Sequence, residues 1–170
     1  AERMIYTMFM DKMAPGILRL SVMDNDIDLF EGQYPVPDGV SYNSYLIEDE
    51  QLCLLDTVDA RKQDEWLGGL NEALDGRKLD YLVISHMEPD HAGSIAALCA
   101  CQPQLKLVAN AKTFVMLDQF TGEHPLVQER ITVGEGGTLA LGSHTLHFVL
   151  APMVHWPEVM VAYEDSQKVL

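Results

Sequence analysis

Two short apolar runs, each followed by a segment of helical period, most constrain how this chain can fold. Residues 81–85 and 105–109 have the length and composition of buried strands. Residues 93–100 and 111–120 follow them as predicted helices, and Asn110 is the candidate N-cap of the second helix. The middle of the chain is therefore predicted to alternate between strands and helices.

Segments of strand character lie on both sides of this alternation. Residues 42–47 and 52–55 are separated by a polar turn, which is a hairpin signal. A helix is predicted over residues 59–75 because its apolar side chains recur on one face. Beyond residue 130 short strands return, and Val169 is expected to begin another. This order predicts an α/β sandwich with helices outside and sheets inside.

Composition limits the class of partner. The chain of 170 residues is long enough for about one domain. Its 26 acidic and 11 basic side chains give a net charge of −15, which repels nucleic acid and anionic lipid, so we expect neither as a partner. No apolar run has the ~18 residues of a membrane span, and the N-terminus lacks the features of a signal peptide.

The three cysteines do not indicate a disulfide framework or a zinc ribbon. Their number is odd, and Cys99 and Cys101 have CxC spacing in an alanine-rich apolar segment. We expect buried free thiols there, which is typical of a reducing, cytoplasmic compartment.

The strongest chemical signal is the hexad HMEPDH at residues 86–91, with two imidazoles and two carboxylates in six positions. It follows the apolar run ending at Ser85 and precedes a predicted helix, and α/β folds present ligands on loops at the carboxyl ends of strands. Pro89 stiffens the loop because it lacks a backbone donor and restricts the preceding residue. An incidental polar surface loop does not explain this spacing. The candidate metal ligands are His86, Glu88, Asp90 and His91.

A third imidazole is expected from a second strand end. His155 follows the predicted strand over residues 145–150, and although a histidine among apolar neighbours is commonly a core residue, Trp156 and two flanking prolines favour a ligand. His144 and His147 differ by three positions on or beside a strand and so cannot both face one site. We expect these two, and His124 beside Pro125, to be structural or exposed.

The residue types also bear on the metal. Hydrolases of the metallo-β-lactamase type carry an HxHxDH loop, which is rich in imidazole and suits zinc. Glu88 stands here at the second position, giving HxExDH. The carboxylate adds negative charge and an oxygen donor able to bridge two ions, which favours a redox iron pair without excluding zinc.

Four segments, in order along nearly the whole chain, resemble the flavodiiron proteins, also called A-type flavoproteins or rubredoxin:oxygen oxidoreductases. They are SYNSY at 41–45, DTVD at 56–59, the hexad at 86–91 and PMVHWP at 152–157. The resemblance implies an αββα metallo-β-lactamase-like sandwich holding two iron ions, which reduces dioxygen to water, nitric oxide to nitrous oxide, or both. It also implies electrons from FMN in a following flavodoxin-like domain, a rubredoxin-like protein or flavin reductase as donor, and a head-to-tail homodimer.

The same resemblance assigns roles by position. His86, Glu88 and His155 match the ligands of one iron, while Asp90 and His91 match ligands of the other, although some members do not use the histidine at position 91. Asp56 and Thr57 match a strand-end position of the family. Their role is either to orient a ligand or to cap the local backbone.

The sequence departs from the family pattern at its C-terminal side. The family supplies a bridging aspartate just beyond residue 170 and a further histidine later, and Asp165 sits in a turn that makes it a poor substitute. We therefore expect residues 1–170 to form a single incomplete metal domain, truncated on its C-terminal side and without the flavodoxin-like domain. The remainder would be a lost segment or a separate chain, and residues 1–170 alone would bind metal weakly and be inactive.

Two other functions remain open. A zinc hydrolase of the metallo-β-lactamase superfamily would use a metal-bound hydroxide, with Asp90 as proton acceptor. A non-catalytic interaction module would carry a degenerate site. Met87 and Trp156 either line the substrate pocket or pack in the core.

Overall fold

A seven-stranded sheet forms the centre of the structure, a computed structural model that describes residues 8–170. The strands of these residues are β1 (Met8–Ala14), β2 (Ile17–Asp24), β3 (Leu29–Phe30), β4 (Tyr34–Pro35), β5 (Val40–Ile47), β6 (Cys53–Leu55), β7 (Tyr81–Val83), β8 (Lys106–Ala109), β9 (Arg130–Thr132), β10 (Thr138–Ala140), β11 (Thr145–Leu150) and β12 (Met160–Glu164). The helices are α1 (Gln63–Leu74), α2 (Pro89–Ala92), α3 (Ile95–Cys101) and α4 (Ala111–Thr121), and a 3₁₀ turn (Ala60–Lys62) precedes α1.

The strand order explains where the helices lie. The large sheet runs β1-β2-β5-β6-β7-β8-β9, antiparallel from β1 to β6 and parallel from β6 to β9. Parallel neighbours need crossover connections, and α1, α2 with α3, and α4 provide them. The predicted hairpin and strand–helix alternation are confirmed. The carboxyl ends of β6, β7 and β8 consequently share one edge of the sheet.

Both faces of the large sheet are buried at its central strands, which is why those strands appear as apolar runs in the sequence. Alternate side chains such as Leu54 and Leu82 pack towards the helices, where Trp66 of α1 is fully buried. Their neighbours, such as Val83, pack instead against a second sheet of β10, β11 and β12 that contributes Phe148. Within residues 8–170 the helices pack on one face only, so these residues contribute an α, a β and a further β layer of the predicted αββα sandwich.

Side-chain caps mark the start of α4 and of the 3₁₀ turn, whereas α1 itself begins at Gln63 and not at the predicted residue 59. The Asn110 side chain accepts hydrogen bonds from the backbone N–H groups of Lys112 and Thr113 at the start of α4. Asp59 accepts from the N–H of Arg61 at the 3₁₀ turn before α1. Among the described helices, none combines the length and apolar composition that a membrane crossing needs.

Three sequence expectations differ from the structure. β1 was not predicted, and it is an edge strand whose mostly exposed side chains show no apolar alternation. Val169 forms a single antiparallel bridge back to Glu164 and does not begin a further regular strand. Cys101 is exposed, because it lies at the C-terminal end of α3 on the face away from the core, whereas Cys99 is buried.

Candidate metal centre

The hexad forms a bend and a short helix directly after β7. Glu88 has extended backbone angles and is the N-cap residue of α2, with Pro89 at the first helical position. The hexad was expected to be a loop before a helix, and its second half is instead a helical turn. The candidate ligands of the hexad lie at this edge of the sheet, whereas Met87 packs in the core and α3 continues the chain.

Three candidate ligands converge on one point. The Oε2 atom of Glu88 lies 3.0 Å from Nε2 of His86 and 2.7 Å from Nε2 of His155. One donor atom from each residue lies within 4.8 Å of the others, which is the spacing of ligands around a single metal ion. His86 and Glu88 are buried, whereas the side chain of His155 is 56% exposed. The group is therefore anchored on the protein side and reachable from solvent.

His155 reaches this point through a strained loop between β11 and β12. Its φ is +77°, and that of Met153 is +66°, a region that side chains with a Cβ rarely occupy. A backbone hydrogen bond from the Met153 N–H to the Trp156 carbonyl closes the loop. The Trp156 ring packs edge-on against His86, with 5.1 Å between centroids. Such strain persists where the surroundings over-determine it, and it clusters at functional sites.

Asp90 and His91 lie beside the first three ligands but outside their 4.8 Å group. His91 Nε2 is 3.5 Å from an Asp90 carboxylate oxygen, and the His91 ring centroid is 5.5 Å from that of His86. Asp90 Oδ1 is buried without a hydrogen-bond partner. Buried polar atoms are normally paired, so this unpaired oxygen is where a second cation would fit.

The strand end after β6 supports the hexad through its backbone. Asp56, whose φ is +56°, accepts a hydrogen bond at Oδ1 from the Ser85 N–H at 2.7 Å. Its Oδ2 lies 3.4 Å from His91 Nδ1. The Thr57 hydroxyl donates to the His91 carbonyl at 2.7 Å. The sequence left open whether these residues cap the local backbone or orient a ligand. Both bind the backbone, and Asp56 also faces the candidate ligand His91.

Glu158 is a member of the site that sequence reasoning missed. Its Oε1 lies 2.7 Å from His86 Nδ1 and accepts from the Met87 N–H at 2.9 Å. The available signal was an isolated acidic residue between Pro157 and an apolar strand, only three positions after His155. Acidic residues are mostly exposed, so this pattern does not by itself predict the burial of Glu158.

The charges of the ligands suit a cation. Burial by itself would raise the pKa of Glu88, but contacts with Glu31, His155 and His86 outweigh it and hold the pKa at about 2. Burial raises the pKa of Asp90. The hydrogen bond to Glu88 raises the pKa of His155, and although burial lowers that of His91, nearby carboxylates raise it overall. Since metal-binding imidazole must be neutral, metal affinity here should fall as the pH falls.

The other histidines lie away from the centre, as predicted. His144 is buried beside Asp49, and His147 and His124 are partly or fully exposed. Met87 is buried in the core on the helix side of the sheet. Trp156 is half-buried between that core and the His86 ring.

Comparison with known proteins identifies the family. Residues 40–170 match the model described as ODP family beta lactamase. The chain belongs to this family. A rubredoxin-oxygen oxidoreductase of Megalodesulfovibrio gigas is 39% identical over 160 residues, and a nitric oxide reductase of Moorella thermoacetica is 33% identical over 157 residues. These matches cover 94% and 91% of this chain.

A solved structure of a flavodiiron protein agrees with the fold. The flavodiiron protein of Giardia intestinalis superposes with a TM-score of 0.84 at 29% identity, over 92% of this chain and 37% of that one. The predicted resemblance to flavodiiron proteins and the metallo-β-lactamase-like fold are therefore confirmed. The chain spans only 39% of the length of each of the two curated relatives above.

Proposed function

We propose that this ODP-family chain supplies the ligands of a non-haem diiron centre in an oxidoreductase that reduces dioxygen to water, nitric oxide to nitrous oxide, or both. The observation that carries the proposal is the convergence of His86, Glu88 and His155 on one point from two different strand ends. Relatives named for oxygen and nitric oxide reduction support the reaction class.

The donor set fits iron. Two imidazoles with one carboxylate and open positions are a typical donor set of non-haem iron(II) sites. His86, Glu88 and His155 would hold one ion, while Asp90 and His91 would contribute to a second. Iron bound at such a pair supplies two reducing equivalents and Lewis acidity to a small diatomic substrate.

The chain's own residues would shape the reaction in three ways. Glu88, ionised at neutral pH, contributes a negative donor that favours the higher oxidation state of iron. The Trp156 ring packs edge-on against His86 and covers one side of it. The exposed edge of His155 leaves access for a substrate as small as dioxygen or nitric oxide.

The electron source lies outside residues 1–170 in this proposal. FMN bound to a flavodoxin-like domain, in the remaining polypeptide or a separate chain, would pass electrons to the centre, and a rubredoxin-like protein or flavin reductase would reduce it. A head-to-tail dimer would bring the flavin of one subunit to the iron of its partner. We propose a cytoplasmic location for this system, and no activity for residues 1–170 alone.

The test is metal content and gas consumption of the full-length protein, purified without oxygen. We expect iron by elemental analysis and by anomalous diffraction at the iron edge, and consumption of dioxygen or nitric oxide. His86→Ala should abolish that consumption while the flavin is still reduced by its donor. Unchanged consumption in His86→Ala would refute the catalytic assignment, and full zinc occupancy without iron would favour a hydrolase.

A further inference from the structure

We infer that Glu158 is a positioning residue that fixes the ring of His86 and ties the two ligand-bearing segments together. The inference rests on the proposed function, because it concerns how one proposed iron ligand is oriented. Glu158 is 1% exposed and lies at the start of the segment that leads into β12. No sequence pattern or family resemblance assigned it a role.

The first step concerns the tautomer of His86. A carboxylate has no hydrogen to donate, so a contact of 2.7 Å between Glu158 Oε1 and His86 Nδ1 places the ring hydrogen on Nδ1. In the neutral ring that metal binding requires, the lone pair of His86 is then on Nε2, the atom that lies 3.0 Å from Glu88. Two acceptors face each other at that distance, an arrangement that a cation between them would stabilise. Glu158 thus directs His86 towards the metal position.

The second step concerns the backbone. The same Glu158 oxygen accepts from the Met87 N–H at 2.9 Å, so it binds both the side chain of His86 and the residue that follows. Glu158 is only three positions from His155 but 72 positions from His86. One carboxylate therefore joins the segment that carries His155 to the hexad. Its loss should disturb two ligands together.

The third step concerns what holds Glu158 itself. Its backbone carbonyl accepts from the side-chain amide of Asn110 at 2.6 Å, and Asn110 caps α4 with its other amide atom. The end of β8 thus fixes Glu158, which in turn orients a ligand after β7. Carboxylates that orient metal-bound histidines in this way commonly change metal affinity by about 10–100-fold when removed.

The experiment measures iron(II) affinity and the His86 tautomer in the full-length protein. Glu158→Leu should weaken iron(II) binding by about 10–100-fold in an anaerobic competition with a chromophoric chelator. Glu158→Gln keeps an acceptor oxygen and should lose less. Long-range ¹H–¹⁵N correlation spectra of the metal-free protein should show hydrogen on Nδ1 of His86 in the wild type and a mixture in Glu158→Leu.

Glu164 provides the matched control. It is also a buried acidic residue, it accepts from the N–H groups of Ser166 and Gln167, and it makes no hydrogen bond to a candidate ligand. Glu164→Leu should lower stability and leave both the iron(II) affinity and the His86 tautomer unchanged. Circular dichroism of every variant checks that the fold is retained. If Glu158→Leu does not fold, Glu158→Gln carries the comparison.

The outcomes separate this inference from the proposed function. Wild-type iron(II) affinity in both Glu158 variants, or a His86 ring without hydrogen on Nδ1 in the metal-free wild type, would overturn the positioning role and leave the diiron proposal standing. A wild-type protein that binds no iron(II) would overturn the proposed function. The spectra of metal-free protein would then still decide whether Glu158 fixes the His86 ring.

Discussion

A buried ion pair between Asp49 and His144 joins the two sheets of the sandwich. Its removal should lower the free energy of unfolding by an amount that depends on pH. Asp49 lies in the turn between β5 and β6, and His144 in the turn between β10 and β11. Their side chains are about 9% exposed, and His144 Nδ1 lies 2.7 Å from Asp49 Oδ2. On the other side of the ring, His144 Nε2 lies 3.2 Å from the Pro15 carbonyl.

Both ring nitrogens of His144 therefore face acceptors, and only the doubly protonated ring can donate to both. Burial lowers the pKa of His144, but Asp49, Pro15 and the charge of Glu164 outweigh it and raise the pKa overall. This contribution to stability is complete below about pH 6.5 and is lost as the pH rises through the folded-state pKa. Hydrogen bonds from His144 and its neighbours lower the pKa of Asp49 in spite of burial, so its contribution is lost only in acid.

The loss of stability on removing Asp49 can be estimated from the donors that hydrogen-bond to its carboxylate. Asp49 Oδ2 accepts from the His144 N–H at 2.6 Å, from its ring and from the Ser143 hydroxyl, and Oδ1 accepts from the Glu50 N–H. Four independent charged hydrogen bonds would sum to roughly 6 kcal/mol or more. Ser143 and Glu50 are near the surface and can turn to water, so we expect Asp49→Ala to cost about 3–5 kcal/mol, the usual loss on breaking a buried pair.

The assay is urea unfolding at pH 5.5 and at pH 9, because the first lies between the usual pKa values of the two groups and the second above that of histidine. His144→Gln should cost about 1–3 kcal/mol at the lower pH and clearly less at the higher pH. Glu164→Gln is the control for the remaining charge that acts on the ring. Equal losses for His144→Gln at both pH values would refute the argument that the ring is charged in the folded state.

Three further predictions address the support of the site, the core and the thiols. Asp56→Ala should lower the free energy of unfolding in denaturant by about 2–4 kcal/mol, because it removes the acceptor of the Ser85 N–H and places alanine at positive φ. Asp56→Asn keeps an acceptor and should lower it less, and equal losses for the two variants would contradict this. Ser44→Ala should cost about 1–3 kcal/mol because it leaves the Trp66 indole N–H, now 2.7 Å from the Ser44 hydroxyl, without a partner. The same change should cost less in a Trp66→Phe background, as a double-mutant cycle would measure. Cys101 should be the single thiol that reacts rapidly with a colorimetric disulfide reagent in the native protein, and two or three rapid equivalents would show that the other cysteines are not buried.

The central strands could be predicted because burial on both faces leaves a clear pattern. β7 and β8 lie inside the large sheet, so their residues are almost all apolar, and the helices between them have one apolar face. β1 lies at the edge of the sheet, where exposed side chains carry no such requirement. Its pairing with β2 depends on tertiary context that a local pattern does not contain.

The candidate ligands could be predicted to different degrees, because a local pattern contains some of their contacts and not others. The hexad places His86 and Glu88 two positions apart, so the shared site is visible in the local sequence. His155 required the assumption that a second strand ends at the same edge. Glu158 acts only through contacts across 71 and 72 positions, and no local signal specifies its partner.

The backbone of His155 shows why geometry adds to the sequence argument. The two flanking prolines predict a turn. They do not predict that His155, a residue with a Cβ, has a φ of +77°. Left-handed backbone costs roughly 1–2 kcal/mol for such a residue, and glycine would avoid the cost. A histidine nevertheless occupies this position, and the Met153–Trp156 hydrogen bond closes the loop around it. A side chain held at such a cost, with its Nε2 atom 2.7 Å from a carboxylate that two imidazoles share, is better explained by a ligand than by packing.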